Sequence, residues 1–409
     1  MKNFLKYFKK LFKFDIVIST IIVFLFISLI PVVLSLESFK PIKSFIQDFQ
    51  ITDTGYQLKY DQNIIVDTNL VLIRINGLSN LDLFYLISKL HDYKPKVIGI
   101  TEIIENGKDT IIDNFLKEEI IRSNNFVTAN RLSEYNNKTK QFSGSVNSYF
   151  ASTNIISGYT NFAIGSQKEI VTIREFLPTS YELNEKRISF SLAILKRLGY
   201  DVYDNYSNIE EKEEIYFSGK LNNYFNCDSK EVMNGDVSDD FLMNKIILLG
   251  YYEKGEPDNP IKPGSHKLDN LYFTPLNKYV STRTFPDMYN IVLQANILSM
   301  FLNKKTVYNL SDIYTILIAI FICYINLLIF DYISKKISVY YEIISSLLFL
   351  FESITFLLAT IFIFHSYKIN IELTLSLLSI AIALFVFEAY RDSFKPMILV
   401  ILNKYWRVK

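Results

Sequence analysis

The stretch FPDMYNIVLQANILSMFLNKK, residues 285–305, decides how the chain divides. It has helical spacing, yet it is too apolar for a surface helix. It stops at two lysines, just before several hydrophobic runs of membrane length. Met288, Ile291, Val292, Leu293, Ala295, Ile297, Leu298, Met300 and Phe301 leave little polar face, and a helix apolar nearly all round is a buried one. Asn290, Gln294, Asn296 and Asn303 make it a poor lipid-facing span. The stretch therefore reads as the closing helix of a soluble domain, packed on a sheet and leading into the membrane.

Working outward, three runs follow it. Residues 312–333, 341–364 and 371–390 are each long and apolar enough to span, since about 20 residues cross a bilayer. A fourth, IVISTIIVFLFISLIPVVLSL at residues 16–36, lies near the N-terminus without a charge. Lys2, Lys6, Lys9, Lys10 and Lys13 precede it. A basic flank and an apolar core also describe a signal peptide, but the core is long and no A-x-A-like site follows. It reads as an uncleaved anchor. Translocation disfavours basic flanks. The basic N-terminus (1–15) is then cytoplasmic and residues 37–311 lie outside. Lys335 and Lys336 are inside, and so is the tail 391–409 with Arg391, Lys395, Lys404, Arg407 and Lys409. The expectation is a multi-pass protein of the inner (cytoplasmic) membrane with both termini cytoplasmic. The tail is too short for an effector domain.

The external segment alternates strand and helix signals. NLVLIRI (69–75) is a branched apolar run suited to a buried strand, and NLDLFYLISKLHDY (80–93) has helical spacing. KVIGIT (96–101) is a second strand. DTIIDNFLKEEIIRS (109–123) is an amphipathic helix with its acids and bases on the outer side. NFVTAN (125–130) is a third strand, and the order predicts a parallel unit. TNIISGYTNF (153–162) and EIVTIREFLPTSY (169–181) look antiparallel. ISFSLAILKRLGY (188–200) is a helix closed by Gly199. EEIYFSG (213–219) and NKIILLGYY (244–252) are strands, and EKGEPDNPIKPGSHKLDN (253–270) is a surface loop. The fold class expected is an α/β extracytoplasmic domain with a mixed sheet, an N-terminal transmembrane anchor and a C-terminal three-helix transmembrane bundle.

Composition narrows the function. The 409 residues carry a formal net charge of +1, which speaks against a nucleic-acid partner. Two cysteines and three scattered histidines support neither a disulfide framework nor a metal site. Glu256 and Asp258 offer too few oxygen ligands for a calcium loop. No G-x-S-x-G or phosphate-binding loop motif is present, so neither an enzyme nor a cofactor is expected.

The segment resembles the CHASE-type-2 domains, a class of bacterial extracytoplasmic sensory domains found ahead of cyclases and histidine kinases. The likeness runs over residues 51–309. It rests on LVLIRINGLSNLDLF followed by KPKVIGITEII, on VTIREFLP followed by SFSLAILKRLG, and on NKIILLG, DNLYFTPL and FPDMYNIVLQANIL in that order. Three spans after the domain also fit the family pattern. The resemblance implies an acid near the end of the first strand, where this chain has Arg74 and Asn76. It implies another after the second strand, where Thr101 precedes Glu102. A family glycine is Asp287 here, and a family histidine is Gln294. If those positions bind a ligand in the family, this chain has changed it. The kinase or cyclase is missing.

Asn76, Thr101 and Glu102 stand at the carboxyl ends of strands read as adjacent and parallel, the edge where open α/β sheets take ligands. Asp269 and Thr274, with Pro275, are candidates for a pocket rim. The plainer use of all five is as turn residues and caps. Glu352 lies mid-span, where an ionisable group costs several kcal/mol unless it is satisfied. Asn326, Ser376 and Ser379 are its candidate partners within the bundle. The functions expected are a membrane-bound sensor passing its signal to a separate protein partner, with a small-molecule ligand, or a structural or assembly subunit of a bacterial envelope complex.

Overall fold

A computed structural model describes residues 13–34, 50–59, 64–107, 109–136, 139, 141–151, 155–162, 172–201, 212–254, 270–277, 285–371 and 373–397. The chain forms two compact units. One is Tyr56–Val307, the other Met1–Gly55 with Tyr308–Lys409.

Among the described residues, the second unit holds four helices long and apolar enough to cross a membrane. The first of them, α1, is Phe14–Leu34; the other three come after residue 311.

The unit 56–307 is mixed α/β. Its elements are β1 (Asp67–Arg74), α2 (Asn80–Asp92), β2 (Val97–Ile100), α3 (Thr110–Arg122), β3 (Phe126–Leu132), β4 (Ser145–Asn147) and β5 (Ile156–Tyr159), then β6 (Thr179–Glu182), β7 (Glu185–Ile188), α4 (Phe190–Arg197), β8 (Tyr224–Asp228), α5 (Ser229–Asn234), β9 (Ile246–Gly250) and α6 (Asn290–Leu302). The main sheet has seven strands in the order β8-β1-β9-β2-β3-β4, with β5 also on β3. All its pairings are parallel except β3 with β4.

Leu70–Ile73, Val97–Ile100 and Ile246–Gly250 are buried without interruption. That is the mark of parallel strands covered on both faces, and it explains the runs in the sequence. On one face, Val71, Ile73, Ile98, Ile100, Ile247 and Leu249 pack with Leu86 and Leu90 of α2 and Leu116 and Ile120 of α3. On the other face lie α4 and α6. Gly99 is needed there, because a Cβ would stand 2.9 Å from both Ile194 Cδ1 and Phe190 Cζ of α4.

The opening stretch becomes α6, buried from Asn290 to Met300. Its amides are spent inside the unit. Asn296 Oδ1 accepts from the backbone N–H of Ser218 (2.8 Å) and Gly219 (3.2 Å), and its Nδ2 donates to the carbonyls of Gly219 and Val292 (both 2.9 Å). Ser191 Oγ donates to Gln294 Oε1 at 2.6 Å, and Asn303 Nδ2 to Asp67 Oδ2 at 2.8 Å. Buried polar groups that are hydrogen-bonded carry little net cost. So the same asparagines that unfit this helix for lipid knit it to the domain.

Three readings of the sequence are corrected. β9 inserts between β1 and β2, so those two strands are not neighbours. Residues 156–159 pair parallel with β3, not antiparallel. Within 213–219 only Glu213–Glu214 form a strand, a two-residue pairing with Glu175–Phe176, while the sheet strand β8 comes later. A hairpin does occur, between β6 and β7. The physical reason is shared: these pairings join segments far apart in sequence, and β8, an edge strand with only Tyr224 buried, has no apolar run to announce it.

In the other unit, α1 is joined by α7 (Asp312–Lys336), α8 (Tyr341–Tyr367) and α9 (Thr374–Ala389). Ile16, Val23, Cys323, Leu327, Phe330, Ile380, Ala383 and Phe387 form the interior. Leu25, Phe321, Phe351 and Phe385 point outward and are exposed, an apolar exterior suited to lipid. At one end Lys13 pairs with Asp331, which Lys335 Nζ also meets at 2.7 Å, and Lys395 pairs with Asp15. The start of α1, the end of α7 and the region after α9 therefore gather their charges together.

Candidate functional site

The carboxyl ends of β1, β2 and β9 open onto a cavity of about 720 Å³. Two loops shape it. After β1 the chain runs through Asn76 and Gly77 to Ser79, which caps α2. Ser79 Oγ accepts from the Asp82 N–H at 3.2 Å, and the Asp82 carboxylate accepts from the Ser79 N–H at 3.0 Å. This reciprocal cap is the S-x-x-D pattern at a helix start. The hydrogen bonds from Ser79 hold the Asp82 carboxyl below the usual carboxylate range. After β2 the chain passes Thr101, Glu102 and Glu105 to Asp109, whose Oδ1 accepts from the Ile111 N–H at 2.9 Å to cap α3.

Glu102 stands on the cavity wall. Its Oε1 accepts the Tyr251 N–H and its Oε2 the Asn270 Nδ2, both at 3.2 Å. Asn76 also lines the cavity, but its amide is committed to the backbone of Tyr252 and to Glu253. Thr101 is buried, and its Oγ1 donates to the Leu249 carbonyl at 3.3 Å. Thr274 is wholly buried, bound through its N–H (2.8 Å) and Oγ1 (2.7 Å) to the carboxylate of Asp287. Asp287 thus folds the loop. Asp269, Glu256 and Asp258 lie outside the described residues. The structure brings Asn76 and Glu102 to one cavity and leaves Thr101 and Thr274 within the fold.

Several residues of this region were missed in the sequence. Asp113 and Glu119 were read on the outer side of their helix, but both are buried. Asp113 accepts from Asn80 Nδ2 (2.6 Å) and the Gly107 N–H (2.8 Å), tying the two cavity loops together. Glu119 Oε1 lies 2.8 Å from His91 Nδ1 and accepts from Arg122. Arg74, at the end of β1, binds Asp228 through Nε (2.8 Å) and Nη2 (2.5 Å) and Glu253 through Nη1 (2.9 Å). The Asp228 hydrogen bonds raise the Arg74 pKa further. Burial pushes Asp228 up, but the Lys230 N–H and the guanidinium outweigh it and leave that carboxyl below its ordinary value. Cys227 is pushed up to about 12 by burial, then by Glu231 and Asp228, so its thiol stays protonated.

In the helical unit, Glu352 of α8 hydrogen-bonds Asn326 of α7. Asn326 is 2 % exposed, and Ser376 and Ser379 are fully buried. The two serines belong to a different contact: Ser379 Oγ donates to the Ser376 carbonyl, and the Ser379 carbonyl lies 4.0 Å from Cys323 Sγ.

The CHASE2 domain family matches residues 27–328, more than half of the chain. No protein of curated function and no solved structure matches. The match takes in the last two turns of α1, the whole α/β unit with its cavity and much of α7, and the chain belongs to the CHASE2 domain family, whose domain is of the extracytoplasmic sensory type.

Proposed function

We propose that this chain is a membrane receptor. Its α/β domain faces the outside and binds a small molecule in the cavity at the carboxyl edge of the sheet. Its helices relay occupancy to a separate output protein. The observation that carries this is the cavity itself, formed by the loops after β1, β2 and β9. Crevices at this edge are where open α/β sheets bind ligands. Glu102, Glu105 and Asp109, with Asn80 and Asn106, line it, a set suited to amine and hydroxyl groups. The protein acts by binding, not catalysis. In the bundle, Glu352 Oε2 is buried without a hydrogen-bond partner among the described residues.

The basic residues at the shared end of α1, α7 and α9 support, under the lysine rule, the reading that both termini are cytoplasmic and that the protein sits in the cytoplasmic membrane. Reporter fusions at Lys10, Gly255, Lys336 and Lys404 should read in, out, in and in. A cytoplasmic signal at Gly255 defeats the placement.

One observation favours the second reading, a structural or assembly subunit of an envelope complex: Asn76, Thr101 and Thr274 spend their hydrogen bonds on the fold. A thermal-shift screen of the purified chain against amines, amino acids and sugars separates the two. A ligand at 100 times its Kd stabilises by about 2.7 kcal/mol. Stabilisation that Glu102→Ala and Asn106→Ala abolish supports the receptor. Hits indifferent to both substitutions, or none, support the scaffold.

A further inference from the structure

At their charged end the four long helices enclose a second cavity, of about 560 Å³, lined from all of them: Ser19 of α1, Lys335 of α7, Glu342 of α8 and Glu388 of α9 are on its wall. After α9 the chain continues as a π turn, Tyr390–Phe394, and Tyr390, Arg391 and Asp392 of that turn join the wall. Turns of this kind are rare and recur at functional sites.

Most charges here are matched. Asp15 pairs with Lys395, Asp331 with Lys13 and Lys335, and Asp392 with Arg391. The groups left over are mainly acceptors. The carboxylates of Glu342 and Glu388 have no hydrogen bond or ion pair among the described residues. Tyr341 also lines the cavity and is only 4 % exposed, and its hydroxyl is buried without a hydrogen-bond partner among the described residues. A buried polar group left unpaired is costly, so a ligand that pairs it gains. Arg391 spends Nε and Nη2 on Asp392 (2.6 and 2.8 Å), which leaves Nη1. Its guanidinium lies over the rings of Tyr341 and Phe387, 5.4 and 5.7 Å from their centroids.

Two carboxylates and a phenol oxygen suit a cation with several N–H donors, a primary ammonium. The free guanidinium nitrogen suits a phosphate. A quaternary ammonium has no N–H and is held by ring faces, and Arg391 already covers those of Tyr341 and Phe387. Position says what carries the two charges. Tyr332, Tyr340, Tyr341 and Tyr390 stand at this end with Lys335 and Lys336, and tyrosine and lysine gather at the headgroup level of a bilayer. Beside Glu342 an apolar stripe starts along α8: Ile343, Leu347, Leu350 and Ile354 are 53–62 % exposed and spaced as one helix face. It gives an acyl chain a surface to lie on while the headgroup enters the cavity. We propose that this cavity holds the headgroup of a phosphatidylethanolamine, with its ammonium on Glu342, Glu388 and the Tyr341 oxygen and its phosphate on Arg391. One lipid then ties the ends of all four helices together.

The test is native mass spectrometry of the full-length chain, stripped of lipid in detergent and titrated with phosphatidylethanolamine, phosphatidylcholine, phosphatidylglycerol or free phosphoethanolamine. One phosphatidylethanolamine should bind per chain, with a Kd at least ten-fold lower than that of the other three. Tyr341→Phe keeps the ring under Arg391 and removes only the hydroxyl; it and Glu388→Gln should each weaken binding about ten-fold. Glu118→Gln, an exposed acid of α3, should leave it unchanged. If Glu388→Gln fails to fold, Tyr341→Phe decides. Equal binding of phosphatidylcholine overturns the proposal, because the ammonium hydrogens are then not read. Equal binding of free phosphoethanolamine overturns the lipid as occupant and leaves the cavity to a soluble zwitterion. Selective binding that neither substitution weakens also overturns it, because the lipid then sits elsewhere on the bundle.

Discussion

Asn76 and Tyr252 bind one another as if the asparagine side chain were another stretch of strand. Asn76 Nδ2 donates to the Tyr252 carbonyl at 2.9 Å, and the Tyr252 N–H donates to Asn76 Oδ1 at 3.2 Å. The last paired residues of β1 and β9 are Arg74 and Gly250, so this exchange continues their ladder by two residues, past the point where the backbones part. The second Nδ2 hydrogen goes to Glu253 Oε1 at 2.9 Å. Glu253 in turn holds Arg74, and one amide thereby fixes the cavity wall to the charge network behind it.

Asn76→Ala should lower stability by about 1–3 kcal/mol, because it leaves the Tyr252 backbone groups unpaired. Asn76→Asp should cost at least as much at pH 7, since it removes both donors and sets a carboxylate beside Glu253. Urea denaturation of the two variants at pH 7 measures this. Wild-type midpoints would show that Asn76 is free to turn toward a ligand.

The Arg74–Asp228 pair predicts an acid dependence. The Asp228 pKa is lowered in the folded chain. Its contribution is therefore fully present above the ordinary aspartate value of about 3.9 and is lost as pH falls through the folded value. Asp228→Asn keeps a good N-cap for α5 and removes the charge. The gap in melting temperature between wild type and this variant should be widest near pH 7 and close toward pH 3. A gap constant over that range would mean the pair adds no charge-dependent stability.

Gly158 of β5 leaves no room for a side chain. A Cβ there would stand 2.6 Å from Phe190 Cα and 2.7 Å from both Phe190 N and the Ser189 carbonyl oxygen. These are backbone atoms at the start of α4, unable to swing away. Gly158→Ala should destabilise by about 1–3 kcal/mol through overpacking. Gly144→Ala, whose nearest atom would be Ser133 Oγ at 3.8 Å, is the matched control and should be near neutral.

Legibility followed the range of the physics. Runs buried on both faces, such as Leu70–Ile73 and Ile246–Leu249, declare themselves locally, and so do the helices with a capping serine or aspartate at Ser79 and Asp109. The buried character of α6 was legible from its apolar circumference. The place of β9 between β1 and β2 was not, because no local pattern records which distant strand is a neighbour. Nor was the inward turn of Asp113 and Glu119, since an acid on an amphipathic helix normally faces water. Their partners, Asn80 and Gly107 for one, His91 and Arg122 for the other, come together only after folding. Thr274 has the plainer of its two uses, folding its loop, but its partner Asp287, thirteen residues away and taking both its donors, was not legible for a similar reason.

Glu352 and Asn326 stand level in the bundle. Asn326 is ~21 Å along α7 from Asp312, and Glu352 is ~22 Å along α8 from Tyr367, at 1.5 Å per residue. The two helices meet through this polar pair. Glu352→Gln keeps a hydrogen-bonding group at the position and should hold the bundle together, whereas Glu352→Leu leaves the buried Asn326 amide with apolar surroundings. Interhelical hydrogen bonds in membranes contribute about 0.6 kcal/mol on average and up to about 1.7, so the loss in Glu352→Leu should fall in that range. Asn326→Val paired with Glu352→Leu completes a double-mutant cycle, with a coupling of the same size. Melting and co-purified protein are then read together on the full-length chain. Reduced melting with coupling assigns the pair to the bundle. Unchanged melting with loss of a bound protein assigns Glu352 to a docking face on α8. A Leu variant that behaves as wild type on both measures would remove Glu352 from either role, since an apolar residue would then serve α8 equally well.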